Sequence, residues 1–449
     1  MNCSLQDIFR QHFTAYAATR SLHPREWRAA WCIARCHDPA LGSHVLRCPE
    51  GHYERVQPHA CRHRSCPRCV QPGRSRWIDA QMRRLLPCPH FHTIFTVPHE
   101  LLALWAFNRE QMTQLLFECA RDSLLQLMAD PRRLGAMPGV LMSLHTWGRN
   151  LSHHPHLHCL VTAGGLGEAA QWKGTRTHVP VSALPLKKLF RGKFLGQLGA
   201  MLTHRRLHLP PEQDQHYWRS VIRQLYRKDF NVEVCDVYEH GRGVALYLAR
   251  YVKGGPLPKD RELHCDGTHV RFPYKDHRDG QIKMMTLPVQ QFIARILWHA
   301  PPKGGHTTRY AGLYTTARSA QHKAAAAALR CSAPTSRPTS GPTSGPPPEA
   351  HCELPPPTPP PEAPRCPHCQ LSLLRLINPK THHGGEISLS ASQRPRIETS
   401  PNARYPPPAL SNPSFKLTRY GSRRAQLNSN VRQHNATPCS APAGSAASP

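Results

Sequence analysis

The chain has 449 residues, with 58 Lys+Arg against 28 Asp+Glu, a formal charge of +30 at pH 7. That length suits two or three domains with a sizeable core. No run approaches the ~20 apolar residues that cross a bilayer, and the first twenty residues lack the continuous apolar stretch of a secretory signal, so the expectation is a cytoplasmic protein with no membrane partner. The 17 Cys do not suggest a disulfide scaffold, a device of short secreted chains. Several stand in C-x-x-C spacing near His, which predicts zinc in a reducing compartment. The excess of Lys and Arg calls for an anionic partner. Nucleic acid comes first, because cationic side chains gain affinity by releasing counterions from phosphates.

In chain order, Leu5, Ile8, Phe9, His12, Phe13 and Tyr16 fall at helical spacing, with Ser4 placed to cap them. Pro24 opens a second helix through Trp27, Trp31 and Ile33. Residues 48–73, rich in Cys, His, Pro and Gly, read as a small metal-held module. Phe91–Val97 alternates and reads as a strand, Glu100–Met128 as one long or two short helices, and Val140–Trp147 and His156–Thr162 as two strands. Helices follow at about 185–207 and 212–227, then a strand at Val232–Tyr238 and a short helix at Val244–Val252, stopped by Gly254, Gly255 and Pro256. This order predicts an α+β fold, a mainly antiparallel sheet with helices on one face. Roughly half of the 46 Pro lie beyond Cys331, so that region reads as a Pro-rich linker and disordered tail. The expected divisions are 1–85 (helical and zinc-binding), 86–325 (catalytic) and 326–449 (tail with a Cys366–Cys369 island).

Three motifs carry chemistry. In a strand, alternate residues share a face, so His156 and His158 point together and can hold a divalent ion. A third ligand comes from His154, of the same parity, or from His145 on the preceding strand. On a helix, Tyr247 and Tyr251 share a face and can serve as successive nucleophiles. Phenol titrates near ~10, so attack at neutral pH needs help from a cation, a base or a metal-polarised phosphate. Arg250 and Lys253 flank the pair and can stabilise phosphate charge. Finally, Cys48, His52, Cys61, Cys66 and Cys69 offer zinc ligands. Arg62, Arg64 and Arg68 crowd that module and read as DNA contacts. Cys366-Pro-His-Cys369 resembles half of a zinc ribbon and reads as a remnant in the tail, its partner half unidentified.

The stretch Leu144–Gly165, with its His-hydrophobic-His strand, closely resembles the two-tyrosine HUH transposases of the insertion-sequence ninety-one family. Phe91–Pro98, Tyr247–Gly255, Phe292–Gly305 and Arg309–Leu313 match in the same order. The resemblance covers roughly residues 25–320. It implies an HUH-endonuclease palm behind an N-terminal zinc domain. His156 and His158 would hold Mg²⁺ or Mn²⁺, and Tyr247 and Tyr251 would nick and rejoin single-stranded DNA through a 5′-phosphotyrosine in rolling-circle transposition. It places the protein in a bacterial cytoplasm, on the nucleoid. The family's first zinc half is of the C-x-x-C-G-H type, and Gly51 stands here in place of its second Cys. No P-loop is present, so strand separation would fall to a host helicase. A replication initiator or relaxase shares this chemistry, while a non-catalytic zinc-dependent DNA-binding protein or a degenerate transposase shares only the charge and the cysteines.

Overall fold

Helix α1 (Leu5–Ala18) starts where Ser4 sets it: Ser4 Oγ accepts the Asp7 N–H at 3.2 Å and Asp7 Oδ2 accepts the Ser4 N–H at 3.0 Å. This reciprocal pair satisfies amides the first turn leaves open. Helix α2 (Pro24–Arg35) opens on Pro24, with His23 Nδ1 accepting the Arg25 N–H and Glu26 closing a second box. The structure, a computed structural model, describes residues 2–174, 181–238, 255–258, 261–276, 279–301, 305–331 and 364–376. Strands β1 (Ser43–Arg47) and β2 (Glu54–Pro58) form an antiparallel hairpin, and helix α3 (Val70–Arg84) follows.

The central sheet has five strands, all antiparallel to their neighbours. In chain order they are β3 (His90–Thr96), β4 (Gly139–Trp147), β5 (His153–Thr162), β8 (Val232–Tyr238) and β12 (Thr308–Gly312). Their order in the sheet is β12-β4-β5-β3-β8. Between β3 and β4 run helices α4 (Leu102–Phe107) and α5 (Arg109–Ala129). After β5 come the small hairpin of β6 (Gly164–Leu166) and β7 (Trp172–Gly174), then helices α6 (Ala183–Thr203) and α7 (Gln215–Tyr226).

Alternation along the strands decides what each face meets. Phe91 and Phe95 of β3, Val140, Met142 and Leu144 of β4, and Leu157, Cys159 and Val161 of β5 join one buried cluster with Leu116, Phe190, Phe194 and Trp218 of the helices. Phe95 lies 4.8 Å, centroid to centroid, from Phe190. Each large side chain so buried stabilises the fold by about 1.5–3 kcal/mol. The opposite face is divided. At one end Leu141 and Leu160 pack with Trp77 of α3, Tyr314 and Ala325. At the other end the same face carries histidines.

A second sheet holds β9 (His264–Cys265), β10 (His269–Lys275) and β11 (Ile282–Pro288), followed by helix α8 (Val289–Trp298). Leu5, Ile8 and Phe9 of α1 and Ala29, Ala30 and Ile33 of α2 share one core with Phe272, Leu287, Phe292 and Ile293. The expected limits of 1–85 and 86–325 therefore do not follow the packing, since the N-terminal helices are completed by residues from 257 to 300. Helix α9 (Ser319–Cys331) likewise runs across the expected boundary at 325. Strand β13 (Leu374–Leu376) lies within the expected tail and pairs antiparallel with β1. The α+β class stands, as mixed helices and antiparallel sheets. Among the described residues no helix is long and apolar enough to cross a membrane.

Candidate metal centres and nucleic-acid site

Strand register brings three imidazoles together. His145 of β4 lies directly opposite His156 of β5, and Ser143 opposite His158. One ligand atom from each of His145, His156 and His158 lies within 4.8 Å of the other two. The ring centroids are 4.2 Å apart for His145 and His158 and 4.9 Å for His156 and His158. His154, expected as the third ligand, is not in this group. It is exposed at the start of the strand, and its carbonyl rather than its ring serves the site. That carbonyl accepts a hydrogen bond from His156 Nδ1 at 2.6 Å. A carbonyl can only accept, so Nδ1 carries the proton and Nε2 keeps its lone pair.

His92, on β3, is a partner that the motif did not reveal. Its Nε2 lies 2.8 Å from His158 Nδ1. Phe91 and Phe95 turn toward the helices, so strand alternation sends His92 to the histidine face. For His158 to offer Nε2 to an ion, its Nδ1 must donate to His92, and His92 then fixes both the tautomer and the ring plane.

Burial holds His92 and His156 down at about 4 and drives His145 and His158 well below the usual imidazole range. All four are neutral at pH 7, the state a metal ligand requires. These folded-state values lie below the unfolded value, so above pH 6.5 both states are neutral and stability is complete. As pH falls from 6.5 toward 4, the unfolded chain binds protons that the folded one refuses, and stability is lost. Each group held near 4 contributes about 3 kcal/mol to this loss. The urea midpoint in EDTA is therefore expected to drop continuously as pH falls from 6.5 toward 4, and a level profile would contradict this packing of the histidines.

The cysteines form two groups rather than one. Cys36, Cys61, Cys66 and Cys69 bring their sulfurs within 4.8 Å of one another, with Cys36 3.4 Å and Cys61 3.5 Å from Cys69. Cys36 caps the end of α2, and Cys66 and Cys69 bracket a single 3-10 turn that leads into α3. Contacts with Cys61, Cys66 and Cys69 push the Cys36 thiol down, while contacts with Cys32, Cys36, Cys66 and Cys69 push Cys61 up. Four sulfurs around one point, with no carboxylate among them, suit zinc in tetrahedral coordination. Cys36 was absent from the expected set, although Cys32-x-x-x-Cys36 has a spacing zinc sites use; it lies 25 residues before Cys61, outside the Cys-rich stretch. Cys48 and His52 lie apart from this group, beside Cys366 and Cys369.

The expected DNA-contacting arginines differ in availability. Arg62 is exposed, with a backbone φ of 55°. Arg68 is exposed but donates to Gln6 Oε1 at 2.6 Å. Arg64 is half-buried and donates to Thr307 Oγ1 at 2.8 Å. The Thr307 carbonyl in turn accepts the Leu144 N–H, so Arg64 ties the cysteine module to the strand that carries His145. Tyr247, Tyr251, Arg250 and Lys253 lie outside the described residues.

Comparison with known proteins supplies independent findings. A family model described as "Putative transposase" matches residues 139–322, and one described as "Transposase zinc-binding domain" matches residues 8–97. The chain is 34% identical over 313 residues to "Putative transposase y4qJ" of Sinorhizobium fredii, covering 68% of this chain and 79% of that protein. It is also 34% identical over 262 residues to "Transposase for insertion sequence element IS801" of Pseudomonas savastanoi pv. phaseolicola, covering 57% of this chain and 61% of that protein. No solved structure gives a significant match.

Proposed function

Since the chain belongs to the IS91 family of transposases and carries that family's N-terminal zinc-binding domain, we propose that it nicks and rejoins single-stranded DNA on an HUH-type palm, in rolling-circle transposition. The observation that carries this reading is the convergence of His145, His156 and His158 from adjacent strands onto one sheet face. Their neutral rings, with His156 oriented by the His154 carbonyl and His158 by His92, fit a divalent ion, Mg²⁺ or Mn²⁺. Three nitrogen donors without a carboxylate favour Mn²⁺ over Mg²⁺. When bound, the ion supplies a Lewis acid that polarises the scissile phosphate.

The chain's own residues do the rest. The phenol oxygen of Tyr247 or Tyr251 attacks phosphorus, its proton passing to solvent. The P–O3′ bond breaks, the 3′ oxygen takes up a proton, and a 5′-phosphotyrosine holds the energy of the broken ester. The second tyrosine makes the matching cut, and attack by a 3′-OH on the phosphotyrosine restores the strand. Arg250 and Lys253 oppose the charge gathering on the phosphate.

The length of chain around the tyrosines supports the assignment. β8 ends at Tyr238, opposite His90, and eight residues of chain separate it from Tyr247. At ~3.3 Å per residue that reach is ample to come back to the histidine end of β3. Beyond the tyrosines, Gly255 lies against the Ser65 backbone of the cysteine module. Arg62 and Arg68 then lie on a module joined to both sides of the site and contact the strand's phosphates. A host helicase supplies the single strand.

The test is cleavage of a labelled single-stranded oligonucleotide carrying the transposable element's end. Mn²⁺ or Mg²⁺ is expected to support nicking, EDTA to stop it, and the corresponding duplex to resist. Cutting that survives EDTA, or none on an end that the protein binds, would overturn the proposal. Affinity for the same strand is expected to fall steeply with salt, each neutralised phosphate adding about −0.7 to the log–log slope. A flat salt response in filter binding would contradict the phosphate contacts.

A further inference from the structure

The region beyond the Pro-rich stretch returns to the N-terminal module at one place. β13 lies along β1 with Val45 opposite Leu376 and Arg47 opposite Leu374, giving the order β13-β1-β2. Just ahead of β13, residues 366–370 fold into a tight turn. The Gln370 N–H donates to the Cys366 carbonyl at 2.9 Å, and the His368 N–H points at Cys366 Sγ at 3.4 Å. A matching turn stands between β1 and β2. There the Gly51 N–H donates to the Cys48 carbonyl at 3.0 Å, with Gly51 at a φ of 75°, a left-handed conformation that Gly adopts without strain.

The two turns face each other. Cys48 Sγ lies 3.4 Å from Cys369 Sγ and 3.9 Å from His52 Nδ1. The ligand atoms of Cys48, His52, Cys366 and Cys369 all fall within 4.8 Å of one another. Cys48 and Cys366 are buried, while His52 is exposed and Cys369 half-buried. A sulfur pair at 3.4 Å is too far apart for a disulfide bond of about 2.05 Å. It is close to the roughly 3.8 Å between two sulfurs on one tetrahedral zinc with bonds of ~2.3 Å. The donor set is three sulfurs and one nitrogen, a common composition for structural zinc. Gly51, where a second Cys would complete a C-x-x-C, leaves the turn intact and passes the fourth position to the next residue, His52.

We propose that Cys48, His52, Cys366 and Cys369 hold a second zinc ion, distinct from the one at Cys36, Cys61, Cys66 and Cys69, and that this ion clasps residues 364–376 onto the N-terminal module. The clasp joins positions 321 residues apart and encloses the whole central sheet within the loop it closes. The Cys366–Cys369 pair is then the missing half of a split zinc ribbon whose other half is Cys48 and His52.

The experiment is metal analysis of the purified full chain by mass spectrometry, with a cleavage assay beside it. Wild type is expected to carry two zinc ions per chain, and Cys366→Ser/Cys369→Ser one. That remaining ion reports that the rest of the N-terminal module is folded. His52→Cys, which restores a four-sulfur set, is expected to keep two. In a chain with a protease site inserted after Ser344, the cut C-terminal fragment is expected to co-elute with the body. It should separate when a chelator is added or when Cys366 and Cys369 are replaced. One zinc in wild type, two in the double variant, or a fragment whose retention ignores both chelator and cysteines would each overturn the clasp.

Discussion

His145→Gln is expected to lower metal-dependent DNA cleavage by at least ~10²-fold, the several kcal/mol that a lost Lewis acid represents, and His154→Ala to stay within about threefold of wild type. The two residues exchange the ranks that motif spacing gave them. His154 has the parity of His156 and His158, but the strand leaves it exposed and only its carbonyl reaches His156. His145 arrives from the neighbouring strand by cross-strand pairing with His156. His156→Ala and His158→Ala should be as damaging as His145→Gln, with DNA affinity retained in all three because the phosphate contacts lie elsewhere. Gln keeps most of the volume at a position that is 1% exposed, and a melting curve beside the assay reports whether the sheet survives. A damaging His154→Ala beside an active His145→Gln would transfer the ligand role to His154.

The second large effect belongs to the cysteine group at the end of α2. Cys36→Ser is expected to lose one zinc ion per chain and to destabilise the N-terminal module by a substantial part of the ~10–16 kcal/mol that structural zinc supplies. Cys36, Cys61 and Cys66 are buried in the same core as Phe9, Phe272 and Phe292, so the damage should spread to the second sheet. It should appear as a lower melting temperature of the whole chain. Cys32→Ala is the control: Cys32 is buried beside Cys61 but lies outside the four-sulfur group, and it should keep its zinc. Unchanged metal content and melting in Cys36→Ser would contradict the tetrahedral assignment.

Local patterns announced part of this architecture and not the rest. The helix starts at Ser4 and Pro24, and the strands around His92, His145 and His158, follow from capping chemistry and alternation, which act over a few residues. The hairpin of β10 and β11 escaped because Pro273 stands inside β10 and the inward side of β11 is only half-buried except at Leu287, so a Pro and a weakly apolar face mask the alternation. The site was legible in the His156–His158 pair. His92 and the choice of His145 over His154 were not, because both depend on which strands become neighbours and in what register. The cysteines show the same limit. Cys66-x-x-Cys69 is a local signal, whereas Cys36 and the facing of Cys48 toward Cys369 are set by the tertiary fold alone.

The most direct test of the account is to trap the protein–DNA adduct on single-stranded element ends with Mn²⁺, digest it, and map the modified peptide by mass spectrometry. A nucleotide phosphate on Tyr247 or Tyr251, formed only with metal and absent from Tyr247→Phe/Tyr251→Phe, is the predicted result. An adduct on any other residue, or full nicking by the double variant, would contradict it.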